Sequence, residues 1–321
     1  MARPPMPWVG NKEKLLPYIH SILPPKYSQY LEPFGGSGAM LLSLPHRSSR
    51  LDIYNDFNND LTNLFLCIRD KPLVLLRELG FLPFHSRAEF DMVKKLVSHE
   101  KSFAEIIDEE LEVIADRLLV TEEQAAELEP ILRGKAEMYD AIRAAAYLKR
   151  AWGSFSGTIT SFGLKVIPFE KVKERVNQIV KRLPDVVIEN RNAIRLIAER
   201  DREDGVTYCD PPYFEAEKIY QVEFPKRMHV KLWRVLKQCK GYVIVSYNDC
   251  PYIRNLYKDF YIYAFERPNS MSQKAGSKYG EVLITNYDPR EFKEQLDLFG
   301  EPVDLGRMRL VHAPRKPLKA A

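Results

Sequence analysis

The 321-residue chain reads as an α/β protein, a mostly parallel sheet with an antiparallel edge strand and a helical insert. Three observations predict this. Apolar strand-like runs alternate with helical periodicity at both ends of the chain, which is the pattern of a parallel sheet covered on two faces. From Lys71 to Arg182 helix follows helix, with few strand signals. The last two strand-like runs are joined by "PNSMSQKAGSKY", too short and polar for a crossover helix, so they form an antiparallel pair.

Taken in order, "NKEKLLPYIHSIL" (11–23) has helical spacing, and "QYLEPF" (29–34) is a strand that runs into the glycine turn "EPFGGSG" (32–38) and a helix. "RLDIYND" (50–56) is the second strand, with a helix from about Asn58. After the insert come the strand "DVVIENRN" (185–192) and the helix "AIRLIAER". The strand "GVTYCD" (205–210) ends in Asp210-Pro211-Pro212-Tyr213. A helix, "KRMHVKLWRVLKQC", separates it from strands at 241–249, 260–267 and 280–288. Residues 1–70 and 184–300 are thus expected to form the catalytic domain and 71–183 the insert; 301–321, basic and acid-free from Arg307 on, are expected to be a flexible tail.

Hydrophobic residues make up 45% and charged residues 29%, as in soluble globular proteins. No apolar run is long enough to span a bilayer, and the start lacks a signal-peptide core. Cys67, Cys209, Cys239 and Cys250 are scattered, so reduced thiols in a cytoplasmic protein are expected. The histidines form no ligand cluster, and no metal is expected. Between Glu100 and Glu129 eleven acids face only Lys101 and Arg117, a block that cannot lie against phosphates.

Open α/β sheets bind ligands at the carboxyl ends of their strands. Gly35, Gly36 and Gly38 let backbone approach a ligand there, and the following helix offers N–H groups. A glycine turn alone can be only a turn, and its spacing is not that of a phosphate-binding P-loop. Asp56, about twenty residues on, stands where a carboxylate takes ribose hydroxyls; the alternative is an N-cap for the helix near Asn58. Together the two features indicate a nucleoside cofactor. Asp210 and the Pro211 carbonyl, held rigid by Pro211 and Pro212, can accept both N–H groups of a planar amine. Tyr213 adds an aromatic face for stacking.

"PWVGNK", "EPFGGSG", "IYNDFNNDL", "YCDPPY" and "SMSQKAGSKYGEVL", in this order, resemble the Dam-type class of DNA adenine methyltransferases. The resemblance covers nearly all the chain outside residues 99–133 and the tail. It implies a Rossmann-like methyltransferase fold, S-adenosyl-L-methionine as methyl donor and duplex DNA as partner. Trp8 and Lys12 match the family's amino-terminal cofactor motif, Phe34, Gly35, Gly36, Ser37 and Gly38 fall in its glycine motif, and Asp56 matches its ribose-binding acid. Asp210 and Tyr213 match the first and last residues of the catalytic motif.

An adenine amine is a poor nucleophile, because its lone pair is delocalised into the ring. Holding it between two acceptors tilts it toward tetrahedral, so no strong base is required. To reach such a pocket the base must leave the duplex. For DNA, the insert offers Lys149 and Arg150 as phosphate contacts and the loop "SFSGTITSF", with Phe155, Ser156 and Thr158, for base edges. Arg267, Lys274 and Lys278 belong to a second candidate loop. A restriction enzyme is a candidate partner. The motif also suits an RNA base or a protein glutamine amide, and a catalytically silent DNA-binding protein on the same fold is a further alternative.

Overall fold

The computed structural model describes residues 2–8, 10, 12–81, 140–154, 169–215, 224–268, 278–292 and 308–319. In chain order these form α1 (Leu16–His20), β1 (Gln29–Glu32), α2 (Ala39–Ser43), β2 (Leu51–Asn55), α3 (Asn59–Asp70), α4 (Pro72–Phe81), α5 (Ala141–Gly153), α6 (Phe169–Val180), β3 (Val186–Glu189) and α7 (Ala193–Arg200). There follow β4 (Gly205–Cys209), α8 (Lys226–Gln238), β5 (Tyr242–Asn248), α9 (Pro251–Leu256), β6 (Tyr261–Pro268), β7 (Lys278–Thr285) and β8 (Arg309–His312).

The chain divides into two compact units, residues 1–11 with 58–184, and residues 12–57 with 185–321. Packing draws this division elsewhere than the expected boundaries. In the helical unit α3 lies against α5, and so groups with it rather than with the strands before it. Asn58 caps α3 by accepting from the Asp60 and Leu61 N–H groups, and Asp140 caps α5 in the same way through Ile142 and Arg143. Val172, Val176 and Ile179 form the buried stripe of α6 at helical spacing. The amino-terminal stretch belongs here too: Trp152 Nε1 donates to the Pro5 carbonyl at 2.9 Å, and Arg175 to that of Pro4 at 3.0 Å.

The second unit is an eight-stranded sheet in the order β3-β2-β1-β4-β5-β7-β6-β8. The first five are parallel neighbours, whereas β7 runs antiparallel between β5 and β6. Central strands β1 and β4 are buried at every position, as expected of a strand covered on both faces. Leu232 and Leu236 give α8 the apolar side that helps cover the core, with His229 buried beside them.

Two expectations change. The 260–267 and 280–288 strands do pair antiparallel, but the edge is β8, which pairs with β6. So the described part of the tail is not a loose end: Met308 is buried, and Lys319 Nζ donates to the carbonyls of Glu203 and Lys240. The first helix, expected over 11–23, spans Leu16–His20; Pro17 sits in its first turn, and its missing N–H excludes an earlier start.

Candidate active site

The sheet order reverses between β1 and β4: from β1 the chain moves outward to β2 and β3, and from β4 the other way to β5. At such a switch point the loops leaving the two strands diverge and open a crevice at the carboxyl edge. The glycine turn leaves β1 and the Asp210 motif leaves β4. The fold therefore places the two strongest sequence signals side by side on neighbouring strands.

The turn is built from within. Gly36 and Gly38 have φ of 50° and 68°, a region that disfavours side chains. A Cβ on Gly35 would stand 2.2 Å from the Tyr54 ring. That ring is fully buried and its hydroxyl donates to the Gly36 carbonyl at 2.7 Å, so it has no room to retreat. Gly35→Ala is expected to cost about 1–3 kcal/mol by overpacking, read as a lower thermal midpoint.

Asp56 Oδ2 accepts the Gly36 N–H at 2.8 Å, tying the end of β2 to the turn. The cap of α3 is Asn58, so Asp56 is not the N-cap. Beside it Phe57 is 63% exposed, a large aromatic face that sequence reasoning passed over. Within the turn Glu32 Oε2 accepts the Leu41 N–H at 2.9 Å, so one of the N–H groups expected for a ligand is engaged internally. Ser37 is buried, and Phe34 meets Phe224 edge to face at 5.7 Å.

At the end of β4 the two Asp210 oxygens have different partners. Lys12 Nζ lies 2.8 Å from Oδ2, and Ser246 Oγ donates to Oδ1 at 2.8 Å. Burial pushes the Asp210 carboxyl above its ordinary value of 3.8; Lys12 and Ser246 pull it back, while the charge of Glu281 adds to the rise. Pro211 is buried and Pro212 half-buried, which holds the turn rigid.

Tyr213 differs from expectation. It is 5% exposed, with Lys12 Nζ over its ring at 4.7 Å and its hydroxyl donating to Glu281 Oε2 at 2.5 Å. In this conformation its ring is nearly covered, with Lys12 over one face. The half-buried aromatic next to it is Phe214, stacked on Tyr252 at 4.2 Å. His229, near Phe214, is pushed down to about 4 by burial and bonds the Tyr247 hydroxyl through Nδ1 at 2.7 Å. Only 1% exposed, it cannot reach a substrate.

Trp8 belongs to the helical unit, 6.4 Å from Tyr147 between ring centroids. Lys149 and Arg150, expected to meet phosphates, are both buried: Lys149 Nζ donates to the Glu78 carbonyl at 3.1 Å, and burial lowers the Arg150 pKa. The reason is that α5 is buried at ten of its thirteen positions, so its cations are enclosed with its apolar residues. The Arg267 Nε donates to Glu281 at 2.6 Å and so serves an internal ion pair. Phe155, Ser156, Thr158, Lys274 and the acidic stretch 100–129 lie outside the described residues, as does the side chain of Lys278. Among the described residues no group of three or more His, Cys, Asp or Glu could hold a metal, and no helix is long and apolar enough to cross a membrane.

The family described as D12 class N6 adenine-specific DNA methyltransferase matches residues 8–271. The chain is also 26% identical over 303 residues to the Type II methyltransferase M1.LlaDCHI of Lactococcus lactis subsp. cremoris, an alignment covering 89% of this chain and 95% of that protein.

Proposed function

Since this chain belongs to the D12 class of N6 adenine-specific DNA methyltransferases, we propose that its active site is the carboxyl edge of β1, β2 and β4, with Asp210 as the acceptor for the target amine. The protein transfers a methyl group from S-adenosylmethionine to the exocyclic amine of adenine in DNA. The observation that carries the site assignment is Asp210 at the end of β4, held from both sides by Lys12 and Ser246.

The cofactor supplies, when bound, an electrophilic methyl on a sulfonium. The residues fit a nucleoside of this kind: a turn closed to any Cβ at Gly35, the carboxylate of Asp56 at the next strand end and the exposed ring of Phe57. Asp56, at the strand end beside the glycine turn, takes the ribose hydroxyls, and Phe57 offers an apolar face to a flat base. Asp56→Ala is expected to weaken cofactor binding about tenfold or more, the worth of a hydrogen bond to a charged group. Calorimetry with an unchanged dissociation constant would leave Asp56 as a brace for the turn alone.

At the other side of the crevice Asp210 accepts one amine N–H and the Pro211 carbonyl the other. The lone pair then points away from the ring plane, toward the methyl. Ionised Asp210 also stabilises the positive charge that develops on the nitrogen, and it is placed to receive the proton the product must lose. The adenine reaches it by leaving the stack, at a cost of a few kcal/mol. A filter assay with labelled cofactor on duplex DNA, RNA and protein tests the reading, and label confined to protein or RNA would overturn it. The relative is named a Type II methyltransferase; we infer the same setting here, protection of DNA beside a restriction enzyme.

A further inference from the structure

Glu281 is fully buried in β7, yet it carries a charge the reaction has no direct use for. Its two oxygens have separate tasks. Oε2 takes the Tyr213 hydroxyl at 2.5 Å, and Oε1 takes Arg267 Nε from the neighbouring strand at 2.6 Å. The Arg267 guanidinium in turn lies over the Tyr279 ring at 5.0 Å. Desolvating a carboxylate is costly unless it is paired and hydrogen-bonded, and both conditions are met here. The chain of contacts then continues toward the reaction: the Tyr213 ring lies under Lys12 Nζ, and Lys12 Nζ meets Asp210 Oδ2.

We propose that Glu281 is a positioning residue for methyl transfer, which with Arg267 fixes the Tyr213 ring and thereby sets where Lys12 holds the Asp210 carboxylate. The antiparallel strand β7 supplies it because its register puts Glu281 opposite Asn248, at the carboxyl end of β5 and so at the same edge of the sheet as Asp210. In this arrangement Tyr213 acts through its hydroxyl on Glu281 and through its ring face on Lys12. A tyrosine at the end of the motif is needed for the hydroxyl, and phenylalanine would not replace it.

The inference rests on the methyl-transfer reading above, and the experiment separates the two. Glu281→Gln and Tyr213→Phe are made singly and together in the full chain. Cofactor affinity, DNA affinity and single-turnover methylation of duplex DNA are measured, with rates normalised to active sites. Each single variant is expected to bind cofactor and DNA within about threefold of wild type while transferring methyl at least about tenfold more slowly. The double variant is expected to be no slower than the worse single one, because both changes act through the same Tyr213–Glu281 contact. Normal single-turnover rates in Tyr213→Phe, which removes one oxygen and leaves the core packed, would overturn the proposal even if Glu281→Gln fails to fold. Fully multiplied losses in the double variant would overturn it as well. No adenine methylation by the wild-type chain would instead overturn the underlying reading, and this inference with it.

Discussion

Asp210→Ala is expected to abolish most methyl transfer while leaving cofactor affinity within a few-fold of wild type. Its carboxylate is the group proposed to meet the amine, and removing one preorganised acceptor of this kind costs about 3 kcal/mol or more in the barrier, roughly a hundredfold or more in rate. The alanine also strips Lys12 of its counter-charge, and Lys12 is only 5% exposed. Some loss of stability must therefore be separated from loss of chemistry. Asp210→Asn does this: it keeps the shape and one carbonyl acceptor but not the charge. Both variants should be slow in single-turnover assays normalised to folded protein. Near wild-type rates in Asp210→Asn would remove the carboxylate's charge from the mechanism.

Lys12→Met is expected to move the acid limb of the pH–rate profile to higher pH. The methionine keeps much of the aliphatic stem against Tyr213 and deletes the ammonium. Burial already raises the Asp210 carboxyl, and Lys12 is the largest influence holding it down. The other groups that bear on it are Ser246, which lowers it, and Glu281, which raises it; Tyr208, Tyr247 and Cys209 stay neutral because burial raises them. Without Lys12 a smaller share of Asp210 is ionised at any given pH, so activity falls away sooner on acidification and recovers in part on the alkaline side. Stability follows the same sign. A carboxyl raised in the fold stays protonated while its unfolded counterpart ionises, so the penalty grows as pH rises from the unfolded value near 3.8 through the folded one. The variant should therefore differ least from wild type in acid, and by about 3 kcal/mol at most near neutrality, because protonation of Asp210 and its partial exposure limit the cost. A pH–rate profile identical to wild type would show that Lys12 does not govern Asp210.

Glycine turn, strand-end acid and the Asp210-Pro211-Pro212-Tyr213 motif were legible in the sequence because each is a short-range object. Glycine at Gly36 and Gly38 answers a local backbone requirement, Asp56 follows its own strand, and two prolines stiffen the residues beside Asp210. The alternation of strands and helices was legible for the same reason, since periods of two and 3.6 residues are written in neighbouring positions. Family membership followed from the order of these local signals.

Tertiary structure alone decided which charges meet. Lys12 reaches Asp210, and Glu281 reaches Tyr213 from 68 positions away, through strand order and register that no local pattern encodes. The same holds for Lys149 and Arg150, whose charges read as surface in the sequence but whose helix α5 is buried on nearly every side. It holds too for the basic tail, where an open strand edge at β6 recruits Arg309–His312 as β8. Helical and strand periods arise from bonds a few residues long, whereas the pairing of distant charges arises only when the sheet closes over them.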